Sequence, residues 1–159
     1  MNVMENLVNQ QEWNQISEVE LVYRSTVKAS LRPILTNSRE VYDVLLQSWD
    51  KNKIELQEQF KVLLLNRGNK ALGIYEVSTG GVAGTVADPK LIFMAAIKAN
   101  ACSIILAHNH PSSNLKPSRA DEELTQKIKQ GGKLLEINVL DHLILSPEGY
   151  YSFADEGVM

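Results

Sequence analysis

The stretch Ser103-Ile104-Ile105-Leu106-Ala107-His108-Asn109-His110-Pro111, continued by Pro117-Ser118-Arg119-Ala120-Asp121, decides how this chain is read. Its first five residues form an apolar, β-branched run of the kind that makes a strand buried on both faces. A strand's side-chain period of two sends His108 and His110 off the end of that run on the same side. Two imidazoles so placed converge on one ion, because Zn–N bonds of about 2.0–2.1 Å demand it. Asp121 supplies an oxygen as third ligand. Three protein ligands leave a fourth tetrahedral position for water, as in a hydrolytic rather than a structural zinc centre.

Each residue also has a structural reading. Ser118-x-x-Asp121, followed by Glu122-Glu123-Leu124, has the form of a helix N-cap with an acid in the first turn. Asp121 can be a ligand from that position, so the two readings are compatible. The histidines taken singly would be satisfied by backbone carbonyls, but a pair at i, i+2 with a nearby acid fits a metal better.

The same residues resemble the JAMM metal motif of JAB/MPN domains: His-x-His-Pro, a short loop, then Ser-x-x-Asp. With Leu140-Asp141-His142-Leu143-Ile144 added, the chain resembles the RadC-like branch, historically labelled a DNA repair protein, from about Val27 to the C-terminus. One departure is Ser113, where that branch usually has glycine. The resemblance implies a JAB/MPN-like, cytidine-deaminase-like fold, a mixed β-sheet sandwiched by helices. It also implies a catalytic acid on an earlier strand, matched here to Glu76 in Leu72-Gly73-Ile74-Tyr75-Glu76-Val77. Alternation puts Leu72, Ile74 and Glu76 on one face, with Tyr75 and Val77 on the other. A carboxylate on a half-buried face is costly unless paired or beside a metal, whereas at a frayed strand end it is simply solvated.

The implied activity is zinc-dependent hydrolysis of an amide, peptide or isopeptide bond. Zinc (Zn2+) lowers the pKa of its water toward about 7, Glu76 moves the proton, and Ser118 helps hold the oxyanion. Asp141 and His142 face opposite ways in their strand and read as structural, with one of them within reach of the metal's surroundings. Two further readings are a DNA-repair or mobile-element accessory protein and a metal-binding interaction module with little catalysis.

Composition bounds the alternatives. The 159 residues hold one expected domain over 18–159, preceded by a polar arm over 1–17 rich in Asn, Gln and Glu. Lys plus Arg total 16 against 19 acidic residues, a net charge of −3, and the isoelectric point near 5.6 gives no footprint for nucleic acid. DNA association therefore rests on the family label alone, and a peptide or protein substrate is the expected partner. The helix-hairpin-helix region of longer RadC-like proteins is not expected here. Cys102 is the sole cysteine and reads as a small buried hydrophobe, which fits a reducing cytoplasm. Neither a targeting signal nor a membrane span is apparent.

The remaining elements follow from pattern. Val19 to Lys28 alternates like a strand. Asn37-x-x-Glu40 is a capping box opening a helix with Val41, Val44, Leu45 and Trp49 on one stripe. Phe60 to Asn66 and Ala71 to Val77 make a hairpin about Arg67-Gly68-Asn69-Lys70. Gly80 to Gly84 reads as a loop shaping substrate access. Asp88-Pro89 opens a helix to about Asn100, apolar nearly all round and so expected in a core. A helix over Arg119 to Gln130 is expected to stop at Gly131-Gly132, with Lys127, Lys129 and Lys133 on its solvated face. Strands near Val139 to Leu145 and Tyr150 to Phe153 complete the domain.

Overall fold

A computed structural model describes residues 16–81 and 86–159. Most of the expected arm over 1–17 and most of the Gly80–Gly84 loop lie outside the described residues. The order of elements is a 3₁₀ turn at Ala29–Leu31, then α1 (Ser38–Ser48), β1 (Gln59–Leu65), β2 (Ala71–Thr79), α2 (Pro89–Lys98), β3 (Ser103–Asn109), α3 (Arg119–Leu135), β4 (Asn138–Ser146) and β5 (Gly149–Ser152). The strands form one sheet in the order β2-β1-β3-β4-β5. Only β3 and β4 run parallel; the other neighbours are antiparallel. Helix α3 makes the crossover that a parallel pair requires.

The sheet carries helices on both faces. On one side Val41, Tyr42, Leu45 and Trp49 at α1 cover Leu63, Leu65, Ile105, Ala107, Leu143 and Leu145. On the other, Ile92 and Ala96 of α2 and Ile128 of α3 cover Phe60, Val62, Leu64, Ile104 and Leu106. The central strands β1 and β3 are buried along their whole lengths, which explains the apolar runs Val62–Leu65 and Ile104–Ala107 within them. The architecture is therefore the mixed sheet between helices that the sequence led us to expect.

Four details depart from expectation. Residues Val19 to Lys28 form no strand, and Val19 and Leu21 are exposed; alternation without a ladder partner does not make a strand, and Tyr23 only donates its hydroxyl to the Leu72 carbonyl at 2.5 Å. Helix α2 is not enclosed, because Leu91, Met94 and Ile97 face outward. Helix α3 runs through Gly131-Gly132 and stops at Glu136, which takes the left-handed conformation with φ 55°. A Cβ on Gly132 would come within 2.4 Å of the Ile137 carbonyl oxygen, so that glycine serves close packing rather than termination. At α1 the Asn37 side chain caps the Glu40 N–H, but Glu40 bonds the Thr36 N–H instead of closing the box on Asn37.

The hairpin between β1 and β2 also contains two register shifts, at Phe60/Lys61 and Leu64/Leu65. The second lets Leu72 slip out of the pairing, so Leu72 packs on the α2–α3 side while Ile74 packs on the α1 side. Leu72, Ile74 and Glu76 do not share one face.

Candidate metal centre

The carboxyl end of β3 and the amino end of α3 meet at one corner of the α2–α3 side. His108 ends the Ile104, Leu106, His108 face of β3 and is fully buried. His110 follows just past the strand and is held by its N–H to the Leu145 carbonyl of β4. Asp121 arrives from the first turn of α3, where it forms a full capping box with Ser118: the Ser118 hydroxyl accepts from the Asp121 N–H, and the Asp121 carboxylate accepts from the Ser118 N–H. The cap thus aims the carboxylate at the histidines.

The two Nε2 atoms lie 3.0 Å apart. Asp121 oxygens stand 3.3 Å from His108 Nε2 and 3.6 Å from His110 Nε2. Tetrahedral ligands about 2.0–2.1 Å from one zinc ion are about 3.3 Å apart, so the spacing matches a shared ion. The chemistry of the donors agrees. His110 Nδ1 sits 2.5 Å from the Asn114 carbonyl, which can only accept, so the ring donates there and keeps its Nε2 lone pair for the cluster. These three residues are the group among the described residues whose ligand atoms converge closely enough to hold a metal ion.

Electrostatics bind the cluster together. Hydrogen bonding to Asp121 raises the His110 imidazole above its ordinary value, against the opposing effect of burial. Burial would raise the Asp121 carboxyl, but the adjoining His108 and His110 rings, with the Ser118 N–H, hold it well below the usual range.

Glu76 is not part of this arrangement. Its β1 partner is Lys61, whose ammonium lies over the Trp49 ring at 4.4 Å on the α1 side. Cross-strand partners share a face, so Glu76 stands on the side of the sheet opposite His108. It is exposed and accepts hydrogen bonds from Gln59 Nε2 at 2.5 Å and Thr79 Oγ1 at 2.8 Å. Glu76 follows Ile74 to the α1 side by ordinary alternation, since the pairing from Leu63–Ile74 to Lys61–Glu76 is unbroken.

The carboxylate that feels the charges of the cluster is Glu58. Phe60 pairs with His108, and Glu58, two residues earlier, falls on the same side by alternation. It is half-buried; burial raises its carboxyl above the ordinary range, His108 and His110 pull it down, and Asp121 pushes it up. The signal was an acid directly ahead of a strand-like run, easily taken for loop because the apolar pattern starts at Phe60. Ser118, at the head of α3, is exposed and its hydroxyl oxygen is used by the Asp121 N–H.

Asp141 and His142 do face opposite ways. Asp141 points to the α1 side and binds the Ser152 hydroxyl and the His142 and Ala154 N–H groups, fastening the chain after β5. His142 points to the metal side and touches His108. Burial, then the neighbouring His108, keep its imidazole well below the ordinary value, so it is neutral. Ser113 adopts φ 63°, so the loop keeps the left-handed backbone that glycine takes without strain.

A mixed sheet flanked by helices, with two histidines at a strand end and an aspartate at a helix start, defines a JAB-type domain. The chain belongs to the RadC-like JAB domain family, whose description matches residues 35–158. Among its relatives, a UPF0758 protein of Flavobacterium johnsoniae is 48% identical over 101 residues, 64% of this chain and 44% of the relative. One of Symbiobacterium thermophilum is 38% identical over 137 residues, covering 84% and 57%, and one of Rubrobacter xylanophilus is 36% identical over 145 residues, covering 91% and 62%. The chain thus spans about half the length of the curated relatives it matches. Among the described residues no helix is long and apolar enough to cross a membrane.

Proposed function

We propose that this chain is a zinc-dependent hydrolase that cleaves a peptide or isopeptide bond in a protein or peptide substrate. The observation that carries the reading is the pairing of a three-ligand cluster with a half-buried carboxylate, Glu58, on the same side of the sheet. A structural metal site is closed by four protein ligands, whereas His108, His110 and Asp121 leave a position for water. Two imidazoles and a carboxylate are a donor set that suits zinc.

Held by these residues, zinc supplies Lewis acidity and lowers the pKa of water toward about 7. Glu58 is the base: its raised pKa suits it to take a proton from water and release it to the departing amine, a role worth roughly 10²–10⁴ in rate. Ser118 has given a lone pair to the Asp121 N–H and keeps its own hydroxyl proton, which it offers to the oxygen of the scissile carbonyl. Asp121 and His110, fixed by the α3 cap and the Asn114 carbonyl, do not reorganise during the reaction.

A library of peptides and lysine-linked isopeptides, incubated with the zinc-loaded full chain, tests the reading. Cleavage lost on chelation and regained with zinc is expected. Absence of cleavage across both bond types, or cleavage indifferent to chelator, overturns it.

A further inference from the structure

Behind His108 a line of side chains runs inward between β4 and α3. His108 Nδ1 lies 2.8 Å from His142 Nε2. His142 Nδ1 lies 2.7 Å from Thr125 Oγ1, and Thr125 Oγ1 lies 2.7 Å from the carbonyl oxygen of Asp121. His108, His142 and Thr125 are each fully buried, so water cannot substitute for any of these contacts.

The last acceptor gives the line a direction. A carbonyl has no proton, and two oxygens 2.7 Å apart repel unless one lies between them, so the Thr125 hydroxyl donates to Asp121. That proton is then spent, and the His142 contact requires Nδ1–H to donate to Thr125. His142 is enclosed by the Phe153 ring, stacked at 4.6 Å, and the edge of Phe60 at 5.6 Å, surroundings that disfavour a charged imidazole. A neutral ring protonated on Nδ1 carries a lone pair on Nε2. His108 must therefore donate from Nδ1, and its own lone pair falls on Nε2, the atom that faces His110 and Asp121.

We propose that His142 and Thr125 are positioning residues that set the tautomer of His108, presenting its Nε2 lone pair to the metal. The proposal deepens the reading of His108 as a ligand and rests on it. His110 reaches the same tautomer through one backbone carbonyl, that of Asn114. His108 instead uses a two-residue relay that ends on the backbone of Asp121. The relay thereby joins His108 of β3, through His142 of β4 and Thr125 of α3, to the backbone of Asp121, whose carboxylate stands 3.3 Å from His108 Nε2 across the cluster.

The test combines tautomer spectra with zinc affinity on the full chain labelled with ¹⁵N-histidine. Two-bond ¹⁵N–¹H correlations of the metal-free protein are expected to show His142 protonated on Nδ1. Thr125→Val, nearly isosteric but without the acceptor, is expected to shift that proton toward Nε2 and weaken zinc binding about 10–100-fold, as loss of such supporting contacts does. Thr125→Ser restores both, and the His110 signals stay unchanged in all three, showing that the site remains folded. A wild-type His142 protonated on Nε2, or a Thr125→Val protein with unchanged spectra and zinc affinity, overturns the relay. If the wild type binds no zinc while the spectra behave as expected, the ligand reading fails and the hydrogen-bond order stands.

Discussion

Phe60 and His108 lie opposite each other across the β1–β3 ladder, their rings stacked with centroids 5.7 Å apart and planes 6° from parallel. The pair fixes which side of β1 belongs to the metal cluster. Alternation from Phe60 brings Glu58 to that side, and the unbroken pairing from Leu63–Ile74 to Lys61–Glu76 puts Glu76 on the other.

Glutamine at the two acids separates their roles. Glu58→Gln is expected to keep zinc affinity and to lose at least about 10²-fold in turnover of any substrate the library yields. Glu76→Gln leaves turnover near wild type, because its contacts to Gln59, Thr79 and Lys61 lie on the α1 side of the sheet, away from the cluster. Steady-state rates at saturating zinc decide between them, and the reverse ranking would return the base to Glu76.

Most of the fold was legible because the central strands carry apolar runs and the helix starts carry Asn37, Asp88 and Ser118 as caps. The convergence of His108, His110 and Asp121 was legible for a related reason: a strand period and a capping turn fix their directions locally. The place of Glu58 was not, since it lies just ahead of β1 and depends on how β1 pairs with β3. Gly131-Gly132 misled in the same way. Their lack of a side chain answers to Phe93 and Ile137 from outside the helix, not to the helix's own end.

Those glycines give a stability contrast. Alanine favours a helix over glycine by about 0.8–1.0 kcal/mol, yet Gly132→Ala is expected to destabilise the protein by about 1–3 kcal/mol, because its Cβ meets the Ile137 backbone. At Gly131 the obstacle is the half-buried Phe93 ring, which can turn aside, so Gly131→Ala costs less. Urea unfolding of both variants checks the order.

Removing the Ser118 hydroxyl affects stability and chemistry together. Ser118→Ala leaves the Asp121 N–H without its acceptor, and the lost cap is expected to cost about 0.5–2 kcal/mol. Thermal unfolding of the metal-free protein measures this share free of any catalytic effect. An unchanged melting temperature would mean that the cap contributes nothing to α3.

Acid and base act oppositely on the metal-free cluster. His110 is raised in the folded state, so its contribution is complete below the ordinary value of 6.5 and is lost as pH rises through the folded value. Asp121 is depressed, so its contribution is present above its ordinary 3.8 and is lost as pH falls through the folded value. Metal-stripped protein should therefore melt highest between those limits, with His110→Gln flattening the alkaline decline. Zinc reverses the alkaline trend, since the ligands must be deprotonated to bind it. Melting curves with and without zinc across this range show both signs.

Competitive zinc titration of metal-stripped protein at fixed pH, on the wild type, His110→Ala and Asp121→Ala, bears most directly on the cluster of His108, His110 and Asp121. One tight equivalent in the wild type, with large losses in both variants and circular dichroism unchanged, is the expected result. Weak binding indifferent to either substitution would mean that the three residues are held together by their own hydrogen bonds and serve no metal.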